Sequence, residues 1–418
     1  MPRWRSAAAS ASPPIPAPMM TMGRRRDSKI AIIGAGIGGL AAAAALRRVG
    51  IAAEIYEQAE KFARVGAGIQ QSPNAMKVHR GLGIEARLRD TAFAPATSLN
   101  RDAETGTATN EHPLGRDVEA RYGAPYLTLH RGDLHAALAT IVPSDLIHMG
   151  KKLVRIVPDG AGVVLGFADG SEVAADAVIG ADGVHSLTRA HVQGHSQNHA
   201  QEHSAAAAEA RFTGRVAYRT TFPAARLRGV DVGSSRTKWW GADRHIVIYL
   251  VTAARDEVYF VTSQPERADW ITQESWSATG DVGELRAAFA AFHPDVRAVL
   301  AAAPEVHKWG IFERDPLPAW RRGAVVLLGD ACHPMTPYMA SGAAMALEDA
   351  AVLSRCFDEL AGASVAQIFD AYEATRKPRA SLVQTGSSQN TWMRNATDPD
   401  WLYGYDAWTA PLIAAVPA

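Results

Sequence analysis

The stretch Lys29–Glu57, KIAIIGAGIGGLAAAAALRRVGIAAEIYE, confines the chain to a small set of folds. KIAIIG has the continuous apolar character of a buried strand, GAGIGG is a turn, LAAAAALRRVG is a helix closed by glycine, and AAEIYE is a second strand. Together they form a βαβ unit, and a βαβ unit starts a parallel sheet. Gly34, Gly36 and Gly39 occupy the three glycine positions of G-x-G-x-x-G, with Gly38 beside the last. The first allows a tight turn, the second lets a pyrophosphate approach the backbone, and the third lets helix pack on strand, while the helix amino end faces the anion. Glu57 closes the second strand 18 residues after Gly39, where a carboxylate can accept hydrogen bonds from ribose hydroxyls. A dinucleotide site follows, with FAD and NAD both open at this point.

The chain has 418 residues, enough for one large or two medium domains with a substantial core. Its 43 basic and 43 acidic residues cancel, so the charge balance points neither to nucleic acid nor to an acidic membrane surface. The longest apolar run, Ile30–Leu46, is short for a membrane span and is interrupted by four glycines, so no span is expected and the chain is read as soluble. Two cysteines, Cys332 and Cys356, are too few for a disulfide framework or a four-thiolate metal site and fit the reducing cytoplasm. Residues 1–28, rich in Ala, Pro and Ser, read as a disordered tail. A transit leader broken by prolines, or a true start at Met19, Met20 or Met22, are the alternatives.

Further along, periodicity predicts a helix over Asn74–Arg89, a strand at YLTLH around Leu127, and a helix from Leu134 capped by Asp133. LVRIV, GVVLGF and SEVAADAVIG predict three short strands, the last two meeting at the turn FADGS. Between Gly214 and Phe312 the strands RVAYRTTF, RHIVIYLV and DEVYFVTS predict an antiparallel sheet, followed by helices near Leu285 and Val296. AVVLLG then returns to the buried-strand pattern, and a long helical run from Ala343 to Asn390 breaks near Gly362. The expected organisation is a nucleotide domain in three pieces (29–98, 126–192 and 315–390) and a substrate domain in two (99–125 and 211–314). A polar linker, 193–210, and an aromatic carboxy-terminal segment, 391–418, complete it. His191, His195, His199 and His203 recur every fourth residue and would share a helix face able to hold a metal. Their Gln, Ser, Asn and Gly neighbours favour a solvated linker and no metal.

Two later motifs, Asp176-Ala-Val-Ile-Gly-Ala-Asp182-Gly183 and Gly329-Asp330-Ala-Cys-His333-Pro334-Met-Thr-Pro337, complete a trio with the glycine turn. An Asp following a strand can bond a ribitol hydroxyl, and the loop and helix after it direct backbone N–H groups at an anion. In this order the trio resembles the class A FAD-dependent aromatic hydroxylases of the p-hydroxybenzoate hydroxylase type. The resemblance implies an α/β fold, a Rossmann-like FAD-binding domain with a parallel sheet plus an antiparallel-sheet substrate domain covered by helices. It also implies FAD as cofactor and NADH or NADPH as transient reductant, with Asp182–Gly183 associated with both. Arg64 and Gly68, in Arg64-Val-Gly-Ala-Gly-Ile-Gln70, are taken to lie along the flavin, and Pro337 and Gly342 to belong to its loop and helix. Arg131, in His130-Arg131-Gly-Asp133, resembles the residue that neutralises FAD charge, while the pattern alone favours a surface ion-pair partner.

Within the class the resemblance is strongest to the 6-hydroxynicotinate 3-monooxygenases and then to the salicylate hydroxylases. It runs from about Lys29 to Asp406 and includes TKWWGADRHIVIYL, LGDACHPMTPYMASGAAMALEDAAVL and DPDWLYGYDAW. It implies decarboxylative hydroxylation of a small hydroxylated aromatic carboxylate with O2, through a flavin C4a-hydroperoxide. Such chemistry needs a relay for the substrate's hydroxyl proton, and alternation in RHIVIY puts His245 and Tyr249 on one strand face as relay and partner. From pattern alone both also read as satisfied core residues. His333 is expected beside the isoalloxazine as a site residue. Gln70 stands where the hydroxynicotinate enzymes carry a histidine; an amide donates and accepts hydrogen bonds without acting as a base. Salicylate, a hydroxypicolinate or 3-hydroxybenzoate are therefore alternative substrates. A flavin-dependent reductase that leaves oxygen alone, or a catalytically dead FAD-binding protein, are alternatives of another class. Trp392, Trp401, Tyr403, Tyr405 and Trp408 are expected to pack on the core, with a dimer contact or a cover over the site as other readings, and the chain is expected to be a monomer or homodimer.

Overall fold

Strand Ile30–Ile33 lies in parallel register between Ala53–Tyr56 and Ala177–Gly180, with Ile32 opposite Ile55 on one side and Ile179 on the other. Strands covered on both faces must be apolar throughout, and all four residues of Ile30–Ile33 are buried. Val325–Leu327 continues the parallel set, Arg321–Arg322 closes one edge antiparallel, and Ile147–His148 closes the other, making six strands. The computed structural model describes residues 28–64, 67–194, 210–267, 278–395 and 397–413. The tail and His195, His199 and His203 lie outside them, whereas His191 ends the short helix Leu187–Val192.

Three local expectations change. SEVAADAVIG divides into Glu172–Ala175, which pairs antiparallel with Gly162–Phe167, and Ala177–Gly180 of the parallel sheet. Asp176 sits at the division, its carboxylate accepting from the Lys29 N–H at 2.8 Å, so the chain changes sheets there. The helical stretch from Asn74 is two helices, Pro73–Leu82 and Glu85–Thr91, separated by Gly83 at φ +82°. The helix expected from Leu134 starts at Arg131, and its cap is His130, whose Nδ1 accepts from the Gly132 N–H at 3.0 Å. Asp133 is instead free to pair with Arg64.

The second sheet has eight strands. At its centre Arg211–Pro223 pairs antiparallel with Glu257–Pro265 and Val306–Glu313. His245–Leu250 and Arg236–Trp240 follow, then Thr97–Asp102, parallel to its neighbour, and Ala108–Pro113. Cross-strand partners share a face. One face buries Ile246, Ile248, Val258 and Phe260 under the helices Val282–Ala288 and Pro294–Ala302, from which Leu285, Val296 and Leu300 descend. The other face, set by the pairs Trp240–His245, Val247–Val261, Tyr249–Tyr259 and Ala217–Trp309, is turned towards the glycine turn of the parallel sheet.

The helices Gly342–Glu359 and Val365–Ser388 are separated at Gly362, φ +100°, and the second opens with a capping box between Ser364 and Gln367. Four of the carboxy-terminal aromatics, Trp392, Tyr403, Tyr405 and Trp408, pack on the core, while Trp401 is exposed; Tyr403 meets Tyr122 edge-on at 5.7 Å, Arg379 lies 4.0 Å above the Tyr405 ring, and Arg48 lies 4.7 Å above that of Trp408. No helix of the described residues is long and apolar enough to cross a membrane.

Candidate active site

A cleft of about 310 Å³ lies between the two sheets, with Gly36, Gly38, Asp330 and Gly342 on one side and Gln70, Arg219, Tyr249, Tyr259 and Trp309 on the other. The glycines of the first turn divide their work. A Cβ on Gly34, which has φ +99°, would come 2.5 Å from the Ala181 carbonyl oxygen, and one on Gly39 would come 1.9 Å from the Gly34 oxygen. Gly38 keeps clear of Leu328, whose Cδ2 would be 2.7 Å from an added Cβ. Gly34 and Gly39 let backbones touch, and Gly38 makes room for the Leu328 side chain. A Cβ on Gly36 would meet nothing within 4 Å, so this open backbone faces the cleft.

The helix Ile37–Arg48 has no side-chain cap and no acidic residue in its first turn, and the same holds for Gly342–Glu359. Both amino ends line the cleft, and so does Arg131, whose guanidinium has no carboxylate partner among the described residues. Unsatisfied N–H groups, two helix dipoles and a free cation make a cradle for an anion. Glu57 stands behind the glycine turn, its carboxylate accepting from the Ala35 N–H at 2.7 Å and the Ala59 N–H at 2.8 Å. Asp330, carried out by Gly329 at φ +64°, opens onto the cleft; loss of hydration pushes its carboxyl above the usual carboxylate range. The donors, the acidic groups and the bare Gly36 backbone fit a flavin dinucleotide.

On the sheet side Tyr249 lines the cleft, and burial pushes its phenol well above the ordinary value, so it is a neutral donor. His245 shares its face but is buried beyond the cleft wall, between Trp240 at 5.0 Å and Tyr338 at 5.9 Å. Burial first, then the charges of Lys238, Arg215, Arg236 and Arg394, hold its imidazole well below the usual histidine value, hence neutral. Gln70 Oε1 accepts from the Tyr126 hydroxyl at 2.5 Å. Gly68, where a Cβ would be 2.5 Å from the Tyr259 ring and 2.9 Å from that of Tyr249, lets both rings close on the cleft.

The FAD-binding domain family matches residues 27–387 of this chain. The chain belongs to that family. It is 46% identical to 6-hydroxynicotinate 3-monooxygenase of Bordetella bronchiseptica over 385 residues, 92% of this chain and 97% of that one. It is 43% identical to 6-hydroxynicotinate 3-monooxygenase of Pseudomonas fluorescens over 93% of this chain and 97% of the relative. HpxO of Klebsiella pneumoniae, solved with FAD and uric acid, superposes with a TM-score of 0.75 at 27% identity, over 90% of this chain and 91% of that one.

Within this flavoprotein three further expected site residues, besides His245 and Glu57, lie off the cleft. Arg64 is held at the surface by Asp133 at 2.8 Å and Glu257 at 2.9 Å, where it ties the first domain to the large sheet. Asp182 spends its carboxylate on Ser186, at 2.6 Å, and on the N–H and hydroxyl of Thr188, at 3.0 and 2.5 Å, leaving Gly183, φ +77°, to line the cleft. His333 points away from it, with Nε2 2.6 Å from Asp349 Oδ2 and the side chain 1% exposed. Asp349 also accepts from the Gly329 N–H at 3.1 Å and the Arg376 Nε at 2.8 Å, so this buried set fixes the loop that carries Asp330. Arg219, Tyr259 and Trp309 escaped the sequence reading. Alternation in DEVYFVTS points to Tyr259, whereas the contact of Arg219 4.5 Å above Trp309 joins strands distant in sequence.

The glycine geometry separates folding from ligand binding. Gly39→Ala should cost about 3 kcal/mol in urea unfolding, because its Cβ meets a backbone oxygen. Gly36→Ala, at φ −71°, should leave that midpoint within about 0.5 kcal/mol and weaken FAD binding at least tenfold. Equal stability losses in both would contradict this division. Burial alone would raise the Asp349 carboxyl; His333 and Arg376 outweigh it and hold the group below its ordinary value. A depressed carboxyl stabilises the fold above its unfolded pKa and loses that contribution as pH falls through its folded one. Asp349→Asn should therefore cost about 3 kcal/mol between pH 5 and 8, and its gap from the parent should narrow below about pH 4. Urea titrations at stepped pH measure it, and a gap independent of pH would refute it.

Proposed function

We propose that this flavoprotein is a monooxygenase that hydroxylates, with decarboxylation, a hydroxylated pyridine carboxylate such as 6-hydroxynicotinate to 2,5-dihydroxypyridine, using NADH or NADPH and O2. The observation that carries the reading is the meeting of the anion cradle with the tyrosine-lined face of the large sheet across one cleft. Similarity to 6-hydroxynicotinate 3-monooxygenases along nearly the whole chain supports it. Bound FAD supplies oxygen activation after reduction by the nicotinamide. Gly36, Arg131 and the two helix amino ends would hold its pyrophosphate, and Asp330 its ribitol hydroxyls.

The remaining chemistry belongs to the chain's own residues. Tyr249 offers a neutral phenol at the cleft to a substrate hydroxyl. His245, uncharged behind it, can accept the proton that leaves as the aromatic ring becomes electron-rich. Tyr259, Val261 and Trp309 exclude water from the reacting face. Gln70 favours a second reading with salicylate, a hydroxypicolinate or 3-hydroxybenzoate as substrate, since its amide, already bound to Tyr126, can orient a hydroxyl or ring nitrogen but take no proton. Cys332 and Cys356 are buried free thiols, in keeping with a cytoplasmic enzyme.

The decisive experiment follows NADH and NADPH oxidation in air by the FAD-loaded protein with each of these acids and weighs the products by mass. A decarboxylated dihydroxypyridine from 6-hydroxynicotinate supports the first reading, catechol from salicylate supports the second, and nicotinamide oxidation by none of them with product rules out both. His245→Asn should lower kcat about 100-fold or more with little change in KM. Because its folded value is depressed, the neutral imidazole persists through pH 6–8, so the parent's kcat should show no histidine limb there and should fall only at lower pH. An inflection near pH 6.5 that vanishes in His245→Asn would refute this.

A further inference from the structure

The large sheet carries a second polar feature on the face that bears Tyr249. Thr237 pairs with Ile248, Lys238 with Val247 and Trp240 with His245, so Arg236, Lys238 and Trp240 project to the same side as Tyr249, Val247 and His245. Arg236 is 7% exposed and Lys238 3%. No carboxylate among the described residues lies within ion-pair distance of either. Arg236 reaches the Ser98 hydroxyl through Nη1, while its buried Nε has no hydrogen-bond acceptor. Lys238 Nζ lies 3.7 Å above the Trp240 ring, which attracts a cation without neutralising it.

Buried cations are ordinarily paired, because desolvating an unpaired one is costly. Here the neighbouring groups make matters worse: Arg394 and Arg215 add positive charge, Trp240, Val247 and Asn100 add none of the opposite sign, and the Asp243 carboxylate is taken by Arg244 at 2.7 Å. The set lies on the strand beside Tyr249, behind the cleft wall, and neither Arg236 nor Lys238 lines the cleft itself. Arg236 acts electrostatically on Tyr126 and Tyr249, and Tyr126 is bonded to Gln70 of the cleft lining. The missing partner is an anion that arrives with the ligand.

We propose that Arg236 and Lys238 are the carboxylate-binding end of the substrate chamber and restrict it to aromatic acids. The inference rests on the function proposed above and deepens it. A carboxylate there accepts from the open Arg236 Nε–H and from the Lys238 ammonium, and orients the ring so that its hydroxyl faces Gln70 and Tyr249. Burial, followed by Arg236, Arg394 and Arg215, holds Lys238 well below the ordinary lysine value, and an arriving carboxylate would raise it again.

Affinity is read on the oxidised, FAD-loaded enzyme by the perturbation of flavin absorbance, with 6-hydroxynicotinate and its descarboxy analogue 2-hydroxypyridine, and likewise with salicylate and phenol. Arg236→Met and Lys238→Met should each weaken whichever acid the parent binds by about 100-fold and its analogue by less than about threefold, and Arg236→Lys and Lys238→Arg should recover most of the loss. Unchanged acid affinity, or equal losses for acid and analogue, overturns the proposal. Should the methionine variants fail to retain FAD, calorimetry of the parent in buffers of different ionisation heat decides: proton uptake with the acid and none with the analogue supports the proposal, and equal exchange overturns it. Because binding is read without turnover, the two readings fail separately. A parent that binds acids through Arg236 and hydroxylates none loses the proposed function alone, and one that hydroxylates an acid whose affinity ignores both substitutions loses this inference alone.

Discussion

Everything at the cleft depends on how closely the first turn approaches its neighbours. Gly34 passes so near Ala181, and Gly39 so near Gly34, that no side chain fits at either position. This contact brings the amino end of Ile37–Arg48 to the end of the parallel sheet, and Gly38 lets it close against Leu328 of the strand Val325–Leu327 extended. Two helix amino ends then share one cleft with Arg131. Had Gly34 or Gly39 carried a Cβ, the helix would stand off and its free N–H groups would miss a common anion.

A buried charge network holds the second helix to this arrangement. Arg376 is bonded to Glu348 at 2.7 Å and to Asp349 at 2.8 Å, all three fully buried. Glu348 also takes Asn74 at 2.7 Å and Arg379 at 2.8 Å, and Asp349 takes His333 and the Gly329 N–H. Helices Pro73–Leu82, Gly342–Glu359 and Val365–Ser388 and the Asp330 loop thus share one set of fixed lone pairs. The carboxylates here have every partner they need, which distinguishes this network from the cations of the large sheet.

The parts of the site that could be read in the sequence are those whose constraint is local. The glycine turn, Glu57 at the end of its strand and Gly329–Asp330 record backbone requirements that no distant residue alters, and each lies where spacing puts it. Alternation in RHIVIY put His245 and Tyr249 on one face because a strand has no other choice. Direction was harder. His333 shares the loop of Asp330, but the 3-10 turn Gly329–Ala331 sends Asp330 outward while His333 turns inward to Asp349, a residue one helix away. Asp133 had the chemistry of a cap, and His130 took the position because the helix begins earlier. Arg219 and Trp309 meet only through the pairing of strands some ninety residues apart, and VHKWGIFE lacks the clean alternation that marks an exposed strand face.

Burial and the cations behind the cleft wall together make His245 a neutral group in a cationic setting. A carboxylate beside it would raise its affinity for a proton, and an imidazolium cannot accept one from a substrate hydroxyl. Surrounded by Arg215, Arg236, Lys238 and Arg394, it stays unprotonated at neutral pH, at a cost in stability that a core without unpaired cations would not have to meet. Unpaired buried charge of this kind survives where function uses it. An aromatic acid would bring the absent negative charge, so that the same event that fills the chamber would neutralise its cations, and the relay would be at its most basic only when a substrate is present to be deprotonated.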